Sequence, residues 1–207
     1  MATRKYTQRM RAESADETRR RILDAVTQRL TEAPTEPVSL DQVAQLARVA
    51  RSTIYLVFGS RAGLFDAFTE DLWIRTGLAD LTAAVAHPDA RTHLRGGVAA
   101  ATKMYAADRD IYRVLHSMAQ LDPDSVGGAV DKIERMRRGG MEHLARRLAE
   151  DGALRDDVSV AQATNILWMV LSFDSFDLLY TGRGLSVDTT AKLIAATAER
   201  AVCRPMP

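Results

Sequence analysis

Apolar residues recur along this chain at steps of three and four, and almost nowhere at steps of two. Ile22, Leu23, Val26 and Leu30 form such a stripe and predict a first helix at about 16–30. Val43, Ala44, Ala47, Ile54 and Phe58 fit two short helices, at about 40–47 and 52–58. Leu64, Phe65, Phe68, Leu72 and Trp73 then mark a helix running from 61 into the seventies. Pro34, Pro37 and Pro88 break the pattern between these segments. Further helices are expected at about 90–107, 109–118, 125–150, 160–180 and 187–202, with Asp157, Ser159 and Ser186 at starts and Gly152 and Gly182 at ends. The expected fold is all-α with about nine helices.

Residues 39–58, SLDQVAQLARVARSTIYLVF, organise the first third. Ser39 is placed to cap the first short helix, and Asp41 suits its dipole. Ala44 is small where the two helix axes must approach. Two short helices around one small core, joined by a tight turn, are the helix-turn-helix arrangement, whose second helix enters the major groove of DNA. Arg51 and Ser52 begin that second helix, where side chains reach base edges, and arginine can bond guanine in two places at once. Thr53 and Tyr55 add hydroxyls.

Net charge is only +1, but it is unevenly spread. Residues 1–61 hold eleven Lys/Arg against seven Asp/Glu, and the remainder seventeen against twenty. The first third is therefore the part aimed at phosphates. Its leading residues 1–14, with Arg4, Lys5, Arg9 and Arg11, read as a mobile basic arm. Arg19, Arg20 and Arg21 follow at the start of the first helix.

The same residues resemble the DNA-binding region of the TetR family of bacterial transcriptional regulators. Arg48-Val49-Ala50 stands where that family has its turn, followed by Ser52-Thr53-Ile54-Tyr55, Phe58 and Ser60-Arg61. The flanking segments TRRRILDAVTQRLTEA and RAGLFDAFTEDLW are similar too, so the likeness is sharp over about 16–73. Arg48 replaces a customary glycine, so a left-handed backbone there costs about 1 kcal/mol. Leu56-Val57 replaces a frequent aromatic-histidine pair. The resemblance implies that Tyr55 and Arg61 hold phosphates and that Thr53 meets a phosphate or a thymine methyl. Arg48 and Ser39 complete the candidate DNA contacts.

It further implies a DNA-binding domain at 1–61 and a larger domain at 62–207 for ligand binding and dimerisation. Met169, Phe173, Phe176 and Tyr180 form a stripe along the 160–180 helix, with Trp168 and Ser172 beside it. Met104, Tyr105, Tyr112 and Met118 add adaptable or aromatic surface. The candidate ligand contacts are Met104, Tyr105, Met118, Trp168, Ser172, Phe173, Asp174, Phe176 and Asp177. Asp174 or Asp177, were it to line a cavity, would favour a cationic or hydrogen-bond-donating ligand. The pairs Gly96-Gly97, Gly127-Gly128 and Gly139-Gly140 mark helix ends, kinks, close helix approach or a cavity wall.

Enzymatic readings find little support. His87, His93, His116 and His143 lack metal-binding spacing, no phosphate loop or nucleophile elbow occurs, and Cys203 stands alone near the terminus. No cofactor or metal is expected. No apolar run approaches the roughly 20 residues of a membrane span, and the N-terminus lacks an apolar signal core, so a cytoplasmic protein is expected. The expected function is a homodimeric regulator, most simply a repressor that a small-molecule effector releases from a palindromic double-stranded operator. An activator, a ligand-independent DNA binder and, distantly, a helical enzyme or carrier are the alternatives.

Overall fold

The computed structural model describes residues 2–121, 123–126 and 128–205. Among them lie eleven α-helices, one short 3-10 turn at Pro123–Val126 and no strand beyond an isolated bridge between Leu154 and Cys203. The helices are α1 (Ala2–Glu32), α2 (Leu40–Leu46), α3 (Arg51–Phe58), α4 (Arg61–Thr76), α5 (Leu78–Val85) and α6 (Ala90–Ala107). They continue with α7 (Arg109–Leu121), α8 (Ala129–Glu150), α9 (Val160–Val170), α10 (Phe173–Tyr180) and α11 (Val187–Val202).

Two departures from the expected nine have local causes. Gly77, at φ 124°, ends α4 and starts the extra helix α5. The segment expected as one helix at 160–180 breaks at Leu171, whose ψ is 22°. Ser172 then caps α10 by accepting a bond from the Ser175 N–H. The stretch expected as an arm is helical backbone, since α1 begins at Ala2. The side chains of Arg4, Lys5, Arg9 and Arg11 lie outside the described residues, as does Gly127.

The chain divides into two compact units. The first comprises Met1–Asp71 with Arg113–Val130. Its core is the expected one: Ile22, Val26 and Leu30 of α1, Val43 of α2, Ile54 of α3, and Leu64, Phe65 and Phe68 of α4 are all buried. Burial of such side chains contributes about 1.5–3 kcal/mol each. Arg29 is buried among them, and its guanidinium donates to Gln42, Glu36 and the Ala33 carbonyl. It thereby ties the end of α1 to the proline loop and α2, fixing where the helix-turn-helix begins.

The second unit comprises Leu72–Tyr112 with Asp131–Pro207. Here α6 packs on α5 and α11. A Cβ on Gly96 would stand 3.1 Å from the Ala84 Cβ, so this glycine permits the close approach of α6 to α5. Caps fall where sequence placed them: Ser159 forms a capping box with Gln162, and Ser186 accepts from the Thr189 N–H. Tyr105, Tyr112 and Phe173 pack with ring centroids 5.1–5.8 Å apart.

Candidate nucleic-acid interface and an apolar cavity

The geometry of α3 follows from one buried residue and one strained turn. Arg48 adopts φ 54°, the left-handed conformation its position in the turn demands. The Val49 N–H donates to the Ala44 carbonyl at 2.9 Å and closes the turn. Ile54 is fully buried, which leaves Arg51, Ser52, Tyr55 and Leu56 on the opposite, exposed side. Thr53 is half-buried. Four exposed residues at positions i, i+1, i+4 and i+5 make one continuous helix face.

Electrostatics on that face centre on Arg51. Its Nη1 donates to both Asp41 oxygens, at 3.2 and 2.9 Å, and its Nη2 lies 3.4 Å from the Tyr55 hydroxyl. These partners raise its pKa further above the ordinary arginine value, the Tyr55 hydrogen bond first and the Asp41 charge next. All three side chains are exposed, so the set is labile and open to exchange with an incoming acceptor. Sequence reasoning placed Asp41 only as a dipole partner and missed this pairing.

Other candidates fall differently. Ser39 occupies the N-cap position of α2, yet its side chain makes no capping bond. Arg61 is turned inward: its Nη1 donates to the Val38 carbonyl at 2.7 Å and its Nε to the Asp124 carbonyl at 3.0 Å. Its guanidinium also sits 5.3 Å from the Phe65 ring centroid. Gly63, unremarked in the sequence, is sterically required, because a Cβ there would come within 2.1 Å of the Phe58 carbonyl oxygen. The start of α4 is thus packed directly on the end of α3, and Ser60 caps it through the Gly63 N–H.

The second unit contains a cavity of about 230 Å³ that opens to the surface beside the exposed Met136. Leu78, Leu81 and Val85 of α5 form one wall, and Met104 and Tyr105 of α6 another. Ile133, Met136, Arg137, Gly140 and Met141 of α8 face them. Two histidines complete it, His93 and His143, with ring centroids 5.9 Å apart. His93 is held neutral: its pKa falls to about 4 through burial first, then the nearby charges of Arg147 and His143.

Of the nine ligand candidates, the cavity wall includes Met104 and Tyr105. Phe173 and Phe176 are buried and pack on Tyr105, the first edge-on and the second tilted, without reaching the wall. Ser172 serves as the cap of α10. Trp168 is partly exposed, donates from Nε1 to Glu134 and lies under the Arg137 guanidinium. Asp177 is engaged by Arg109, whose Nε and Nη2 donate at 2.7 and 3.1 Å, and accepts from the Thr181 hydroxyl. Asp174 is exposed, and Met118 is buried in the first unit. Of the stripe along 160–180, Phe173 and Phe176 are core while Met169 is exposed, because the helix breaks at Leu171. The stripe Ile133, Arg137, Gly140 and Leu144 on α8 was the available signal for the wall.

Among the described residues no group of three or more His, Cys, Asp or Glu is arranged to hold a metal ion. None of the helices described is long and apolar enough to cross a membrane.

Residues 22–68 match the family described as bacterial regulatory proteins, tetR family. No curated protein is similar enough to count as a relative. Among solved structures, the fold is similar to that of NalD from Pseudomonas aeruginosa, the secondary repressor of the MexAB-OprM multidrug efflux pump. That likeness has a TM-score of 0.68 and 21% identity, covering 94% of this chain and 100% of that one. The fatty acid degradation regulator FadR from Bacillus halodurans gives 0.69 at 17% identity, over 88% and 94%. A SmeT-triclosan complex gives 0.69 at 16% identity, over 92% and 98%.

Proposed function

We infer that this chain, which belongs to the TetR family of bacterial regulators through its residues 22–68 and shares their fold, is a ligand-responsive, sequence-specific DNA-binding repressor. The observation that carries the reading is the exposed face of α3. Arg51, Ser52, Tyr55 and Leu56 project together from a helix anchored by Ile54. That is the placement a recognition helix needs for its first turn to meet base edges. Arg51 supplies a fork for guanine, Ser52 and Tyr55 supply hydroxyls for bases or phosphates, and Thr53 and Arg48 flank them.

The working unit is a homodimer. Met169, Leu178 and Leu193 are apolar yet exposed on α9, α10 and α11, and cover by a second copy would take them out of water, which supports this reading. Two α3 helices related by a two-fold axis would meet a palindromic operator with half-sites about 34–36 Å apart or at a longer spacing. NalD is a repressor, and the same mode of action is assigned here by likeness. A small molecule bound in the α5–α6–α8 cavity releases the operator by binding one conformation better than the other.

A mobility-shift titration on the DNA upstream of the chain's own coding region tests the reading. Saturable binding that resists excess unrelated DNA is expected, and Arg51→Ala should weaken it. Equal affinity for unrelated and upstream DNA, together with equal affinity of the variant, would remove the sequence-specific contacts.

A further inference from the structure

The cavity in the second unit carries information about charge as well as shape. None of its lining residues is an Asp or Glu. Its one guanidinium, Arg137, is already committed: it donates to Glu134 at 3.2 and 2.7 Å and to the Trp168 carbonyl at 2.5 Å. An incoming cation would find no carboxylate on the wall, and an incoming anion would compete with Glu134 for a cation already neutralised. Burying an unpaired charge among such apolar walls is strongly unfavourable.

The wall also carries uncharged hydrogen-bonding groups, among them the His93 ring and the Tyr105 hydroxyl, beside Trp73 and His143. The Arg147 Nη1 approaches the His93 Nδ1 at 3.3 Å, and because arginine can only donate, Nδ1 is the acceptor. The ring proton is therefore on Nε2. The Tyr105 hydroxyl has no hydrogen-bond partner among the described residues, and burial, the largest influence, pushes its pKa up to about 12, so it stays protonated. A donor on the wall without a protein partner favours whatever ligand supplies an acceptor.

We propose that this cavity takes an uncharged lipophilic molecule carrying a hydrogen-bond-accepting oxygen, and that it discriminates against organic cations. The sequence had left a cationic ligand open through Asp174 and Asp177, but one is exposed and the other is engaged by Arg109. The proposal rests on the reading of this cavity as the effector site, and it concerns only which chemistry the site accepts.

The test uses the full chain without DNA, following the fluorescence of Trp73, which borders the cavity, and confirming stoichiometry by calorimetry. Benzophenone, diphenylmethane and benzyltrimethylammonium serve as probes. The first two differ only in replacing a carbonyl by a methylene. Benzophenone should bind one per chain, about tenfold tighter than either of the others, as expected for one hydrogen bond gained from a wall donor. Tyr105→Phe should bring benzophenone towards the affinity of diphenylmethane. Gly140→Leu should weaken binding sharply, because it adds four carbons at a residue that borders the cavity. That variant also gains helix propensity, so it should fold.

No saturable benzophenone binding, equal affinity for diphenylmethane, a cation bound as tightly, or full binding by Gly140→Leu would each overturn the proposal. Operator release is read in a separate arm with DNA present. Benzophenone that binds the free chain without displacing DNA sinks the release mechanism while upholding the ligand class.

Discussion

Replacing Arg61 should cost folding stability rather than a phosphate contact. Its Nη1 bond to the Val38 carbonyl is partly buried and short, at 2.7 Å, and its Nε bond to the Asp124 carbonyl is exposed, at 3.0 Å. Hydrogen bonds with a charged partner contribute about 1.5–3 kcal/mol, and the exposed one falls to the lower end or below it. Stacking over Phe65, with 5.3 Å to the ring centroid, adds about 0.5–1 kcal/mol. Arg61→Ala should therefore destabilise by about 2–4 kcal/mol, lowering Tm by roughly 4–16 °C for a chain of this size. Arg61→Lys keeps the charge but cannot span both carbonyls, and should lose about half as much. Calorimetry gives the stability, and DNA affinity measured across salt concentrations gives the number of phosphates neutralised. The salt slope should be unchanged in both variants. A slope shallower by about one unit in Arg61→Ala, with Tm unmoved, would refute this account and restore the phosphate contact that the resemblance implies.

Tyr55→Phe removes a hydroxyl from the α3 face and should weaken specific DNA binding several-fold without changing Tm, checked by fluorescence anisotropy. Arg48→Gly relieves the positive φ and should stabilise by about 0.5–1 kcal/mol, whereas Arg48→Val should destabilise, both by urea denaturation. His93 has a folded pKa near 4, below its unfolded value near 6.5, so the unfolded chain binds the extra proton first. The stability it contributes, about 3 kcal/mol at most, is complete above pH 6.5 and lost as pH falls towards 4. A His93→Phe chain should show a flatter stability profile across that window, and an identical profile would exclude His93 as its source. Asp177→Ala leaves a largely buried Arg109 short of its main partner and should cost about 2–4 kcal/mol, read by thermal denaturation.

Most of the first unit was legible because its signals are local. A helix stripe, a cap position and a turn lie within a few residues of one another, so Ile54 could be placed inside and Arg51 outside from spacing alone. The left-handed backbone at Arg48 was raised by the resemblance instead, which has a glycine at that turn position. What escaped depends on partners distant in sequence. Arg61 looked like a surface cation until the Asp124 carbonyl, 63 residues away, claimed its Nε. Asp177 looked available until Arg109 engaged it across 68 residues. The cavity was sought along 160–180 because aromatic spacing is conspicuous there, but a serine cap at Ser172 interrupts the helix and shifts its face. Gly97 and Gly140, from two of the glycine pairs for which a cavity wall was one reading, border the cavity, but the pairs alone did not say which helices face each other across it.

The most direct test is selection of bound sequences from a random pool of double-stranded DNA by the intact chain, with Arg51→Ala run in parallel. The account predicts enrichment of a two-fold symmetric motif whose half-sites are about one helical turn or more apart, with information lost at particular positions in the variant. A pool that stays random, or the same motif recovered equally well by both proteins, would contradict the claim that the exposed face of α3 reads DNA.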